Sequence, residues 1–393
     1  MIKTIAVLGN FSGRNAGDAA ILGCLLRDLS TRFKRIRFLI PTIRPDFVIK
    51  SFSIYPLKPV GLLPWNFSVK IFGLPILRTV LKSDLVLVTD AILFDRKLYN
   101  PLFNYLWTLS HVLPLAHKRG IPVVLYNASL GPIRTRAGKR ALARVLAASD
   151  LLILRDQESI DLLNRLGLEH PHIVEGADCA LNAEAVGEGR FQEICKAEGL
   201  FQSDRPVIGF NINSYVDAFV RRGASFGKQS LVEVYAATID RVIEELDVDA
   251  ILVETQHMDL AIAQEVLQRI RHKDRVKLIS NKKYSYQEIC SVLRRLELFV
   301  GMRTHSLILS SAMGVVPVGI VTYPKNRGFM RTLGLEENLI EFGELSTEKF
   351  TELILSVYHR REEIKEKMIP RLLREKAKAR EAVGRLIPYL RGY

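Results

Sequence analysis

Gly301-Met302-Arg303-Thr304-His305-Ser306 is followed about twenty residues later by Tyr323-Pro324-Lys325-Asn326-Arg327-Gly328. The first segment lies where an apolar strand, Leu296 to Val300, gives way to a helix rich in small residues, Ser306 to Met313. A helix N-terminus presents unbonded backbone N–H groups and a partial positive charge, so anions collect there. Arg303, Lys325 and Arg327 add cations suited to phosphate or carboxylate. His305 adds the side-chain type that both gives and takes a proton near neutral pH, which extends the pattern from binding to chemistry. The combination points to an anionic, phosphorylated substrate.

Elements able to hold such a pocket follow from the hydrophobic pattern. Thr4–Leu8, Ile36–Ile40, Leu85–Val88, Pro122–Tyr126, Leu151–Leu154 and His172–Glu175 read as buried strands. Helical spacing over Asp18–Phe33, Pro101–Arg119, Arg136–Ala148 and Gln157–Leu166 separates them. The pattern lapses across residues 182–205, a polar stretch with one short helix candidate, and restarts at Pro206–Phe210. It continues through Ala250–Val253, Val276–Ile279, Leu298–Val300 and Val316–Val321, with helices near Leu231–Glu245, Asp259–His272 and Tyr286–Arg295. Alternation of this kind gives βα units and parallel sheets covered on both faces. The expected architecture is two Rossmann-like, doubly wound α/β domains facing a cleft: residues 1–181, a linker over 182–205, and residues 206–345. Basic helices over 346–393 follow, able to pack back on the first domain. The ligand belongs at the carboxyl ends of the strands.

Composition narrows the class. The chain has 393 residues, 48% hydrophobic and 25% charged, the balance of a folded globular protein. Its net charge of +14 suits nucleic acid, a membrane surface or anionic small molecules. No nucleic-acid motif accompanies the charge, so nucleic acid is set aside. Cys24, Cys179, Cys195 and Cys290 lack disulfide or metal spacing and read as thiols in a reducing compartment. Neither a signal peptide nor a run of about 18 apolar residues is found, and the reading is a cytoplasmic protein. The tail from His359 to Tyr393 carries 11 Lys/Arg against 5 Asp/Glu, with apolar stripes through Met368, Leu372, Leu373, Val383 and Leu386. Such a helix either packs on its own protein or lies on the inner face of a membrane. Residues 42–83, rich in Pro, Phe, Leu and Lys and including Leu63-Pro64-Trp65, show no period. They read as loop and helix covering a core, or as an exposed apolar-basic surface for a lipid-linked acceptor.

A second constellation opens the chain: Gly9-Asn10-Phe11-Ser12-Gly13-Arg14-Asn15-Ala16-Gly17-Asp18, a glycine-punctuated turn running into a helix. It matches neither the dinucleotide fingerprint nor a P-loop. Asn15 or Asp18 is suited to cap the helix. Asn15-Ala16-Gly17-Asp18-Ala19-Ala20-Ile21-Leu22 resembles the Asn-x-Gly-Asp-x-Ala-Ile-Leu signature of the polysaccharide pyruvyl transferase family. The resemblance continues through Gly131-Pro132, Leu154-Arg155-Asp156-Gln157-Glu158-Ser159 and Gly176-Ala177-Asp178. It is strongest over Arg303-Thr304-His305 and Tyr323 to Phe329, in family order across roughly residues 5–335.

The resemblance implies transfer of pyruvate from phosphoenolpyruvate to two sugar hydroxyls as a cyclic ketal. The implied fold is glycosyltransferase-B-like. No cofactor or metal is expected, with phosphoenolpyruvate as donor and a polysaccharide or lipid-linked saccharide as acceptor. It implies His305 as general acid/base and Arg303 as its catalytic companion. Arg155, Lys325, Arg327, Thr304, Asn15, Gly17 and Asp18 are implied as substrate-binding residues. Asp178 also matches, and it suits a turn equally well. Asp156 and Glu158 read as helix-start acids, His257 as an acceptor contact or a cap, and His111 and His117 as structural. One departure stands out: family members often carry a glycine run where this chain has Thr89-Asp90-Ala91. That moves the question to the acceptor. A nucleotide-sugar-dependent glycosyltransferase of the same architecture and a non-catalytic partner of a polysaccharide assembly remain the rival readings.

Overall fold

A computed structural model describes residues 2–62, 73–99, 105–214 and 227–390. The chain divides into two compact units. The first comprises Met1–Gly13, Ile21–Cys179 and Glu375–Tyr393; the second comprises Arg14–Ala20 and Ala180–Arg374.

The first unit is built on a seven-stranded parallel sheet of order β3-β2-β1-β4-β5-β6-β7. Its strands are β1 Lys3–Leu8, β2 Ile36–Thr42, β3 Leu57–Gly61, β4 Leu85–Leu93, β5 Val123–Leu130, β6 Leu151–Leu154 and β7 Ile173–Glu175. The second unit holds a six-stranded parallel sheet of order β10-β9-β8-β11-β12-β13. Its strands are β8 Val207–Asn211, β9 Asp249–Glu254, β10 Val276–Ser280, β11 Leu298–Gly301, β12 Pro317–Val321 and β13 Leu339–Glu341. Both orders are doubly wound, as the alternating pattern predicts. β1, β4, β5, β8 and β11 are almost wholly buried, which is why they appear in the sequence as continuous apolar runs.

Local signals place the helices. Thr135 caps the helix Arg136–Ala147 by accepting the Gly138 N–H, and Asp156 caps Gln157–Leu166 by accepting the Ser159 N–H. Gly167, at φ +59°, closes the latter in the left-handed turn that glycine tolerates best. Ser285 and Glu288 form a reciprocal capping box on Tyr286–Leu293.

Three stretches add to the sequence reading. Within 42–83 there is a helix, Pro45–Phe52, the edge strand β3 and a helix, Leu74–Val80; Leu63-Pro64-Trp65 lies outside the described residues. β3 escapes a hydrophobic scan because it is an edge strand, only half buried, and carries Pro59, which a central strand would not accept. The stretch expected as linker, 182–205, contains the helix Glu188–Glu198, which buries Phe191, Ile194 and Cys195. The helix expected over Pro101–Arg119 is present at Leu106–Lys118, and the start expected at Pro101 lies outside the described residues.

The basic tail forms the helices Thr347–His359 and Arg361–Glu381 and two short turns beyond them. Its apolar stripe is covered: Ile364, Met368, Leu372, Val383 and Leu386 are buried, while Leu373 is 59% exposed. Lys378 reaches Glu175 at 2.7 Å. Among the described residues no helix is long and apolar enough to cross a membrane. A buried stripe predicts that Met368→Ala lowers stability by about 2–4 kcal/mol, whereas Leu373→Ala stays within about 0.5 kcal/mol. Denaturant unfolding of both variants checks this; equal effects would mean that the stripe is not packed.

Candidate active site

Doubly wound sheets gather ligands outside the carboxyl ends of their strands, where the strand order reverses. In the second unit that point lies between β8 and β11. β8 ends in Asn211, which is buried and holds the start of the next element in place. Its Oδ1 accepts the Arg303 N–H at 3.2 Å and the Ser306 hydroxyl at 3.1 Å, while its Nδ2 donates to the Val253 carbonyl at 2.9 Å. The helix Thr304–Ala312 therefore begins at the switch point, with Arg303 as its N-cap residue.

The Arg303 side chain is locked. Its Nε and Nη2 donate to the two oxygens of Asp259 at 2.7 and 2.8 Å, a planar fork against a carboxylate. Asp259 is fully buried and also accepts the backbone N–H and hydroxyl of Ser214 at 2.8 and 2.7 Å. Every donor Asp259 meets fixes the plane of the guanidinium, and Nη1 is left outside the fork.

A second helix, Pro324–Thr332, starts beside the first, after β12. Buried Asn326 ties the two starts together: its Nδ2 donates to the carbonyls of Met302 and Ile320, both at 2.8 Å, and the Thr304 hydroxyl donates to its Oδ1. Two helix N-termini thus sit side by side at one sheet edge, with Arg303, Thr304 and half-buried Lys325 on them. Arg327 is exposed and pairs with Glu341.

The Asn15–Asp18 turn belongs to this same unit. The Ala16 N–H donates to the Thr255 carbonyl and the His257 N–H to the Arg14 carbonyl, both at 2.9 Å, making an antiparallel bridge just past β9. Asn15 caps the helix Ala16–Arg32: its Oδ1 accepts the N–H of Gly17 at 2.7 Å and, more weakly, that of Asp18 at 3.4 Å. Asp18 is buried. Gly17 lies against the His305 ring so closely that a Cβ there would fall 2.2 Å from Cγ and 2.5 Å from Nδ1. The glycine of the turn is thus a seat for the imidazole. His257, besides its backbone bond, places Nε2 3.3 Å from the Asn281 carbonyl.

Sequence reasoning missed Asp259, Asn211, Asn326 and Glu254. Asp259 reads in the sequence only as the start of a helix; its place five residues beyond the end of β9, at the carboxyl-end edge of the sheet, is the available signal. Glu254, a carboxylate ending an apolar strand, was equally visible. It is buried, and its carboxylate accepts the Ser280 hydroxyl. Burial, with the Asp259 charge behind it, pushes the Glu254 carboxyl up to about 7 against the pull of Ser280, Gln256 and Arg303.

Arg155, Asp178 and the departing Asp90 lie in the first unit. Arg155 follows β6, with its side chain only 7% exposed, and contacts Asp178 at 3.0 Å and Asp90 at 3.8 Å. Burial alone would lower its pKa; Asp178 and Asp90 together hold it above the usual arginine value. The guanidinium expected as an open anion clamp is already flanked by two carboxylates.

A sequence profile described as polysaccharide pyruvyl transferase matches residues 15–323. Amylovoran biosynthesis protein AmsJ of Erwinia amylovora is 24% identical over 226 residues, 55% of this chain and 53% of that protein, so the match spans about half its length. Among solved structures, UDP-GlcNAc 2-epimerase from Methanocaldococcus jannaschii aligns with TM-score 0.68 at 14% identity, covering 99% of this chain and 100% of the other. The UDP-GlcNAc 2-epimerase from Neisseria meningitidis bound to UDP-GlcNAc aligns with TM-score 0.64 at 12% identity over 99% of each chain. At these identities the likeness is one of fold, glycosyltransferase-B-like as the sequence implied.

The buried Glu254 makes a test by pH. A carboxyl whose folded pKa is raised favours the folded state at low pH, and that contribution is lost as pH rises from 4.5 through about 7. Glu254→Gln stays neutral throughout, so relative to the unsubstituted protein it gains stability between about pH 5 and pH 8, by up to about 3 kcal/mol. Melting temperatures of the two proteins across that range are the measurement; a pH-independent difference would refute the assignment.

Proposed function

The chain belongs to the polysaccharide pyruvyl transferase family, and from that premise we propose that it transfers pyruvate from phosphoenolpyruvate to two hydroxyls of a saccharide, closing a cyclic ketal. The observation carrying this reading is the seating of His305 on Gly17 beside two helix N-termini that also bear Arg303 and Lys325. Phosphoenolpyruvate carries a phosphate and a carboxylate on one carbon framework, and the paired N-termini with their cations suit both. Arg303 is held flat by Asp259, so its alignment is not lost to motion at each turnover. Thr304 and Asn15 act one step back, through Asn326 and through the cap that shapes the Gly17 turn. Arg327 sits in an exposed pair with Glu341, of a kind worth about 0–1 kcal/mol, and exchanges that partner for a phosphate at little cost. We leave Arg155 out of the anion clamp because Asp178 and Asp90 already balance its charge.

In the reaction, C3 of phosphoenolpyruvate takes a proton and C2 becomes electrophilic. One saccharide hydroxyl adds to C2, the C2–O bond to phosphate breaks, and a second hydroxyl closes the ring. Of the two hydroxyl protons, one balances that gained by C3 and the other leaves with inorganic phosphate. His305 is the group that relays these protons.

Binding is tested by thermal shift, since a ligand that binds only the folded protein raises its melting temperature. Phosphoenolpyruvate is expected to give a shift; a shift with UDP-GlcNAc and none with phosphoenolpyruvate would sink the reading. Chemistry is tested by phosphate release. His305→Gln is expected to slow turnover by about 10²–10⁴-fold, and Gly17→Ala, which displaces the ring, by about 10²-fold. Full turnover in Gly17→Ala would show that the contact does not position His305.

A further inference from the structure

Two neighbouring strands of the first unit break register at the same level. The pairing of β4 with β5 shifts between Val88 and Asp90, and that of β5 with β6 shifts between Tyr126 and Ala128. At each break a polar residue adopts left-handed backbone, Asp90 at φ 69° and Asn127 at φ 53°. Side-chain-bearing residues enter that region at a cost, and irregularities of this kind re-aim side chains beside functional sites. Both residues are more than nine-tenths buried.

One side chain meets a charged group and the other meets the chain beside it. Asp90 faces Arg155, whose other side contacts Asp178. Asn127 accepts the Cys179 N–H on Oδ1 at 2.7 Å, next along the chain from Asp178. Among the described residues, Asn127 Nδ2 and the Thr89 hydroxyl beside Asp90 are buried without a hydrogen-bond partner. Buried polar groups normally have one, so these two ask for a ligand's atoms. Arg155 already faces Asp178 and Asp90, which leaves it poorly placed to hold an anion. A neutral group that both donates and accepts suits them: an O–H donates to Asp90, and lone pairs accept from Asn127 Nδ2 and the Thr89 hydroxyl.

We propose that Asp90 and Asn127, with Arg155 and Asp178 behind them, form a docking subsite for the hydroxyls of the saccharide acceptor. The inference rests on the pyruvyl-transfer reading for the identity of its ligand. The departure at Thr89-Asp90-Ala91 then has a role: a carboxylate placed on backbone that glycine would adopt without strain selects the saccharide this protein accepts.

The test uses the full chain, Asp90→Asn and Asp90→Gly. Methyl β-D-galactopyranoside and methyl β-D-glucopyranoside at millimolar concentration are the probes, read by saturation-transfer difference NMR. The unsubstituted protein is expected to give contact signals with at least one glycoside, and both variants to lose them at least tenfold. Asp90→Gly should melt no lower than the unsubstituted protein, because glycine tolerates the left-handed backbone. The phosphoenolpyruvate thermal shift should stay the same in both variants. Unchanged glycoside signals in the variants, or none in the unsubstituted protein, would overturn the subsite. So would a melting-temperature rise with Mg²⁺ or Mn²⁺ that Asp90→Asn abolishes, which marks a cation site, or loss of the phosphoenolpyruvate shift in Asp90→Asn, which assigns the cluster to the donor. If the unsubstituted protein shows glycoside contact but no phosphoenolpyruvate shift, the donor reading fails while the subsite stands.

Discussion

Parallel pairing is the constraint from which the chemistry follows. When every strand of a sheet runs the same way, all their carboxyl ends open on one edge, and each is followed by a chain segment leading into a helix N-terminus. In the second unit this brings Asn211, Glu254, Arg303 and the start of Pro324–Thr332 to a single edge, although they are spread over more than a hundred residues of sequence. Hydrogen bonds then fix what topology has gathered. Asn211 anchors one helix start, Asn326 ties it to the next, and Asp259 holds the guanidinium in plane.

Arginine meets carboxylate in both units with different results. Arg303 is gripped along one edge by Asp259 and remains partly exposed, so its plane is fixed while part of it still reaches solvent. Arg155 lies between two carboxylates and is nearly sealed from solvent. A guanidinium of the first kind can still meet a ligand from solvent; one of the second kind has its charge met inside the fold. Arginines alike in motif therefore differ in surroundings, and only their partners tell them apart.

The sequence made the central strands legible because burial on both faces leaves short runs of apolar residues in β1, β4, β8 and β11. It concealed β3 and β13, edge strands with half-exposed residues, where no period survives. Arg303, His305 and the Asn15–Asp18 turn stood out because their types and local spacing suggest an anion, a proton and a cap. Asp259 did not: its bond to Arg303 spans 44 residues, and its place just past a strand is one that many helix-start acids share. The close approach of Gly17 to His305 was likewise beyond reach, since a glycine in a turn is explained well enough by the turn itself.

The bridge between Arg14–Ala16 and Thr255–His257 bears on how the gene can be dissected. Residues 14–20 complete the second unit although they are translated before nearly all of the first. A fragment beginning at Ala180 would keep Arg303, Asp259 and His305 but lose the seat of the imidazole and the partner of the segment after β9. The two units are therefore not interchangeable modules. A chimera that borrows the second half from a relative must take the opening turn from the same parent, and substitutions at positions 17 and 305 should be tolerated only in concert.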